Sequence, residues 1–131
     1  MATILVAEDE RDLRTTLCEV LETQGHRVIE AEDGEKALAI LQSGLSVDVL
    51  ITDLNMPKLD GMTLLREIGP PPPVVIVHSA FEYYSPQQVT ETAGSTVFRS
   101  VRKPVHPPEL LAAVSEALNE LQRLEQPDDI S

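Results

Sequence analysis

Tryptophan is missing from this 131-residue chain, and its aromatic residues are two phenylalanines and two tyrosines. The absence removes a usual stacking partner for a flat cofactor such as a flavin. Cysteine is represented by Cys18 alone, so no intrachain disulfide can form, and the lone thiol suits a reducing compartment. Cys18 falls in an apolar helical pattern, where it reads as a small buried hydrophobe. No apolar run approaches the ~20 residues that a membrane span needs. Met1-Ala2-Thr3 lack the charged start and apolar stretch of a signal peptide. The expected location is the cytoplasm, with no membrane partner. Basic residues are also scarce, at 10 Lys and Arg against 22 Asp and Glu, for a formal net charge of -12. That balance argues against direct nucleic-acid binding, which needs a cationic patch to neutralise phosphates. The excess carboxylates either serve solubility or converge in part to hold a cation. Composition leaves both open.

What is present is an alternation of short apolar runs and helical patterns, five times over. Thr3–Ala7 reads as a buried strand, followed by a helix with Leu13, Leu17, Val20 and Leu21 on one face and Gly25 at its end. Arg27–Ala31 is the second strand. Asp33-Gly34 opens a helix striped by Ala37, Leu38 and Leu41 and closed by Gly44. Val47–Thr52 is the third strand and Gly61–Ile68 the third helix, which Pro70–Pro73 terminate. Val74–Val77 forms the fourth strand. Ser85-Pro86-Gln87-Gln88 carries a helix-start signature, with Ser85 as N-cap and Gln88 closing a capping box; this fourth helix runs to Gly94. Val97–Arg102 is the fifth strand, and a last helix runs from Pro107-Pro108 past Leu121. Such a βα succession predicts one α/β domain over residues 1–125, a five-stranded parallel sheet with five helices on its two faces; if the order is the doubly wound, flavodoxin-like 2-1-3-4-5, strands one, three and four are neighbours. Residues 126–131 read as a frayed tail.

In a sheet of this kind ligands bind beyond the carboxyl ends of the strands. Glu8-Asp9-Glu10 follow the first strand, Asp53 the third, His78-Ser79-Ala80 the fourth and Lys103-Pro104 the fifth. The strand order would bring Glu8, Asp9 and Asp53 into one pocket, where mutual repulsion raises the pKa of at least one unless a cation intervenes. Mg²⁺ suits such hard oxygen ligands. His26, His78 and His106 lack metal-type spacing and read as ordinary surface or core residues. With Lys103 contributing an ammonium and Ser79 a hydroxyl, Asp53 becomes a candidate nucleophile for a phosphoryl group. It needs no base, because a carboxylate is already ionised.

The run Asp53-Leu54-Asn55-Met56-Pro57-Lys58-Leu59-Asp60-Gly61-Met62 resembles the segment after the third strand of response-regulator receiver domains, the single-domain chemotaxis regulators among them. Glu8-Asp9, Asp33-Gly34, Ser79-Ala80 and Lys103-Pro104 fall in the same family's order, so the resemblance spans about Thr3 to Leu121. It implies that Asp53 is the phosphoacceptor, that Asp9, Asp53 and the main-chain carbonyl of Asn55 bind Mg²⁺, and that Glu8 holds the metal through water. It also implies that Lys103 and Ser79 contact the phosphoryl oxygens and that the Lys103–Pro104 bond is cis. Expected partners are a sensor histidine kinase or phosphotransfer protein and a downstream protein target, with the chain a monomer or weak dimer.

Two features depart from the family pattern. Three residues before the lysine, where receivers often carry Tyr or Phe as a switching aromatic, stands Ser100. Phe98 lies two residues earlier, which strand alternation places on the same face as Ser100, and it is the candidate replacement. The stretch from Gly94 to Lys103 is also about two residues longer than usual. The second departure is the grouping of Phe81, Tyr83 and Tyr84 in the loop after the fourth strand, either folded onto its own core or forming a partner surface. Self-phosphorylation and dephosphorylation at Asp53 would be the extent of the chemistry, short of a turnover enzyme. Competing readings are a phosphohydrolase, which would want an acid where Asn55 stands, and a flavin carrier, whose phosphate loop Glu8-Asp9-Glu10 would repel. A phosphorylation-independent pseudo-receiver scaffold is the remaining alternative.

Overall fold

The computed structural model describes residues 2–82, 85–93 and 97–125. Tyr83, Tyr84 and the expected tail at residues 126–131 lie outside the described residues. Ten elements alternate along the chain: β1 (Thr3–Ala7), α1 (Arg11–Glu22), β2 (Arg27–Ala31), α2 (Gly34–Gln42), β3 (Val49–Thr52), α3 (Gly61–Glu67), β4 (Val74–Ser79), α4 (Pro86–Ala93), β5 (Val97–Arg102) and α5 (Pro107–Glu125). The strands are parallel, in the order β2-β1-β3-β4-β5. This is the predicted doubly wound sheet, with β4 two residues longer than its apolar run suggests and β3 beginning two residues later.

The sheet divides the core in two, because alternate strand residues point to opposite faces. Ile4, Val6, Ile51, Ile76 and Val101 face α1 and α5, meeting Leu17, Cys18, Leu21, Leu110, Val114 and Ala117. Leu5, Ala7, Leu50, Val75 and Val77 face α2, α3 and α4, meeting Ala37, Leu64, Leu65 and Val89. Coverage on both sides is why β3 and β4 are buried throughout and read as continuous apolar runs. Cys18 lies inside the first cluster; burial, ahead of the nearby carboxylates, pushes its thiol up to about 12, so it is a packing residue and not a nucleophile. The capping box at α4 forms as read: the Gln88 N–H donates to Ser85 Oγ (3.1 Å) and the Ser85 N–H to Gln88 Oε1 (2.8 Å). No described helix is long and apolar enough to cross a membrane.

One expectation fails at β5. Val75 pairs with Val97, but the next pair is Ile76 with Arg99, so Phe98 is the extra residue of a bulge. Phe98 therefore joins Val101 on the α5 face, packed against that core, while Ser100 pairs with Val77 on the α4 face. Phe98 and Ser100 do not share a face, and Phe98 cannot stand in for an aromatic at position 100. Simple alternation misplaced it because alternation resets across a bulge.

Candidate functional site

The carboxyl ends of β1, β3, β4 and β5 converge on one rim. Strand register sets which side chains meet there. Ala7, Thr52 and Val77 are aligned across three strands, so the residues that follow, Glu8, Asp53 and His78, are aligned one step beyond. The Asp53 N–H donates to the Ala7 carbonyl (3.0 Å), which fixes the start of the β3–α3 loop against β1. Glu8, Asp53, His78 and Ser79 are all buried.

Lys103 reaches into this row from β5. Its Nζ donates to Asp53 Oδ2 at 2.8 Å and stands 2.9 Å from Glu8 Oε1. Burial opposes the Lys103 charge, but hydrogen bonds to Asp53 and Glu8 outweigh it and hold the ammonium above its ordinary range. Burial raises the Glu8 carboxyl, with Lys103 offsetting only part of the effect. The other Glu8 oxygen accepts the Glu10 N–H (3.1 Å), and the Glu8 carbonyl accepts Arg14 (2.8 Å). Asp53 Oδ1 accepts the N–H groups of Leu54 (2.6 Å) and Asn55 (3.3 Å). Asp53 is thus oriented by its own loop on one oxygen and by an ammonium on the other.

The acidic cluster is as the sequence places it: one oxygen each from Glu8, Asp9 and Asp53 lie within 4.8 Å of one another. Asp9 is exposed, whereas Glu8 and Asp53 are buried. Glu8 Oε1 is buried and meets only the Lys103 ammonium, at 2.9 Å, among the described residues. Three converging carboxylates with one ammonium between two of them leave negative charge to spare, which fits a hard divalent ion such as Mg²⁺, and the set has no soft ligand that would favour zinc or copper.

The loop from Asp53 to Asp60 is held at close quarters. The Gly61 N–H donates to the Leu54 carbonyl (2.8 Å), and Asp60 caps α3 by accepting the Thr63 N–H (2.8 Å). A Cβ on Gly61 would strike the Asp53 carbonyl, and one on Gly34 the Leu59 carbonyl, so glycine permits both contacts. Asp33, the N-cap of α2, accepts the Lys36 N–H (2.8 Å) and pairs with Lys58 at 3.6 Å. Its carboxyl is held below the usual range chiefly by the Lys36 N–H, which with help from Lys58 outweighs the opposing effect of burial. The loop carrying Asn55 is therefore tied to α2.

Ser79 ends β4, and its Oγ accepts the N–H of Phe81 at 3.0 Å. Its carbonyl accepts the Lys103 N–H at 2.9 Å, so the two residues are joined by backbone. The Lys103–Pro104 bond is cis. Phe81 packs partly against the α2–α4 core. Two residues, Arg14 and Arg102, escaped the sequence reading, and a third, His78, was read only as an ordinary surface or core residue. Arg14 ties α1 to the Glu8 carbonyl and to Glu30 (3.0 Å). Arg102 lies over the Phe81 ring and donates to the Ala80 carbonyl. His78 is 1% exposed, and neither ring nitrogen finds a partner among the described residues. Of these, Arg102 had a readable signal, since it adjoins Lys103 and alternates onto the face of Ser100.

The sequence pattern of the response regulator receiver domain family matches residues 4–115. The chain is 44% identical over 68 residues to the transcriptional regulatory protein CpxR of Klebsiella pneumoniae, a match covering 52% of this chain and 28% of that protein. It is 32% identical over 128 residues to the response regulator GtcR of Aneurinibacillus migulanus, covering 97% of this chain and 52% of the relative. The matched regions thus span about half or less of these longer regulators. The crystal structure of a response regulator receiver domain protein from Clostridium thermocellum superposes with a TM-score of 0.83 at 33% identity, over 95% of this chain and 99% of that one.

Proposed function

Because the chain belongs to the response regulator receiver domain family, we propose that residues 1–125 form a module that takes a phosphoryl group onto Asp53 from a phosphohistidine. The donor would be a sensor histidine kinase or phosphotransfer protein in the cytoplasm. The observation that carries this reading is the buried Asp53 carboxylate, 2.8 Å from the Lys103 ammonium inside a cluster of acidic oxygens. An Asp53 oxygen attacks phosphorus, an O–P bond forms, and the P–N bond to the donor imidazole breaks with its electron pair returning to nitrogen. Lys103 exchanges the carboxylate oxygen for a phosphoryl oxygen, neutralising charge where it accumulates. Ser79 offers its hydroxyl proton to a second phosphoryl oxygen. Asp9, Asp53 and the Asn55 carbonyl would hold Mg²⁺, with Glu8 acting through water. When bound, the ion supplies the remaining positive charge for transfer. Phosphorylation then shifts a two-state equilibrium that a downstream protein reads on the side of α4, β5 and α5. Ser100 in the place of a switching aromatic favours one second reading, a scaffold that signals without phosphate.

Incubation with Mg²⁺ and acetyl phosphate tests this. The expected result is a phosphoryl mass increment on the wild type that Asp53→Asn abolishes. No increment, or an increment that survives Asp53→Asn, would sink the phosphoacceptor and favour the scaffold.

A further inference from the structure

The turn after β4 holds a backbone conformation that an aromatic residue rarely adopts. Phe81 has φ 56°, in the left-handed region where a Cβ crowds the carbonyl oxygen. Such a residue persists only when its surroundings hold it, and strain of this kind concentrates at functional sites. Besides its partial packing against the α2–α4 core, two polar contacts among the described residues hold Phe81. On the site side, its N–H donates to Ser79 Oγ at 3.0 Å. From the neighbouring strand, the Arg102 guanidinium lies 5.2 Å over the centre of its ring, and the same group donates to the Ala80 carbonyl at 3.0 Å. The planar guanidinium can stack and donate at once, which an ammonium does less well.

Arg102 pairs with Ser79 across the sheet, and the next residue, Lys103, donates its N–H to the Ser79 carbonyl. The cation that grips the turn is therefore one bond from the residue whose ammonium meets Asp53. An oxygen that accepts the Phe81 N–H has one lone pair committed, so the position of the turn fixes where the Ser79 hydroxyl can send its own proton. The geometry points to Arg102 as a positioning residue for phosphoryl transfer, acting through Phe81 to hold the Ser79 hydroxyl. This role rests on the phosphoacceptor reading of Asp53. It also gives β5 a connection to the site that does not need an aromatic at position 100.

The test is a double-mutant cycle of Arg102→Met and Ser79→Ala, read as the initial rate of Asp53 phosphorylation by acetyl phosphate at saturating Mg²⁺. Methionine keeps an unbranched apolar stem and loses both the charge and the donors. We expect Arg102→Met to lower the maximal rate by about tenfold with little change in the apparent KM for the donor. The same substitution should have no further effect once Ser79→Ala is present, because the residue it positions is gone. Amide exchange at Phe81 should accelerate in Arg102→Met, with the far-ultraviolet spectrum unchanged. An unchanged rate, or an equal loss with and without the Ser79 hydroxyl, would overturn the positioning role while leaving the phosphoacceptor intact. A wild-type protein that takes no phosphoryl group would overturn both.

Discussion

His78 presents two buried ring nitrogens with no partner among the described residues, beside Lys103 and Asp53. A buried polar group without a hydrogen bond destabilises by about 1–3 kcal/mol. His78→Leu should therefore raise the unfolding free energy at pH 7 by about 1 kcal/mol or more, measured in urea. The histidine also makes stability depend on pH. Burial, with Lys103 behind it, lowers the folded-state pKa to about 4 from an ordinary 6.5. Between these values the unfolded chain binds the proton and the folded chain does not. Stability contributed by the neutral ring is complete above pH 6.5 and declines as pH falls toward 4, by roughly 3 kcal/mol in all. The difference between wild type and His78→Leu should widen over that window and stay flat above it. A parallel pair of curves would refute the assignment. The sequence showed where His78 stands along the chain but left surface and core both open, and the structure buries it. Its missing partners were not legible, because satisfaction depends on which atoms three neighbouring strands and two helices bring within 3 Å or so.

Elements were legible where a periodic pattern had one physical cause. Strands covered on both faces need apolar side chains at every position, and Val74–Val77 shows that without ambiguity. Helix α4 was readable from its first residues alone, because Ser85 and Gln88 satisfy each other's backbone donors. That exchange leads to a prediction at this scale: Ser85→Ala should weaken α4 by about 1 kcal/mol, seen as faster amide exchange across residues 86–93 with α5 unaffected. The site residues Glu8, Asp9, Asp53 and Lys103 were equally legible, since each follows directly from the end of a strand whose order the topology rules constrain. The face assignment of Phe98 was not. A period-2 pattern carries no mark of an inserted residue, and the pairing that reveals it belongs to β4 as much as to β5.

For the molecule as a whole, the formal net charge of -12 and the buried carboxylates at the sheet's rim act together. Lys103 is a single cation against Glu8 and Asp53, and Asp9 stands beside them. A divalent ion that binds the folded chain and not the unfolded one stabilises it by mass action, about 2.7 kcal/mol when present at a hundred times its dissociation constant. Millimolar Mg²⁺ should accordingly raise the thermal midpoint by about 5 °C or more relative to an EDTA-treated sample. In Asp9→Asn most of that gain should vanish. A general salt effect would instead persist in the variant and be reproduced by an equal ionic strength of NaCl.

The bulge at Phe98 works on β5 as a change of reading frame works on a message. Downstream of it, Arg99 through Arg102 keep step with Ile76 through Ser79 and deliver Lys103 to Asp53. Upstream, the strand has already slipped by one residue against β4 without disturbing that delivery. A change of chain length at Phe98 itself would therefore leave the pairs from Arg99 onward in place. A single insertion or deletion between Arg99 and Lys103 has no such buffer. It would turn the ammonium to the opposite face of the sheet and leave Glu8 and Asp53 facing each other without their cation.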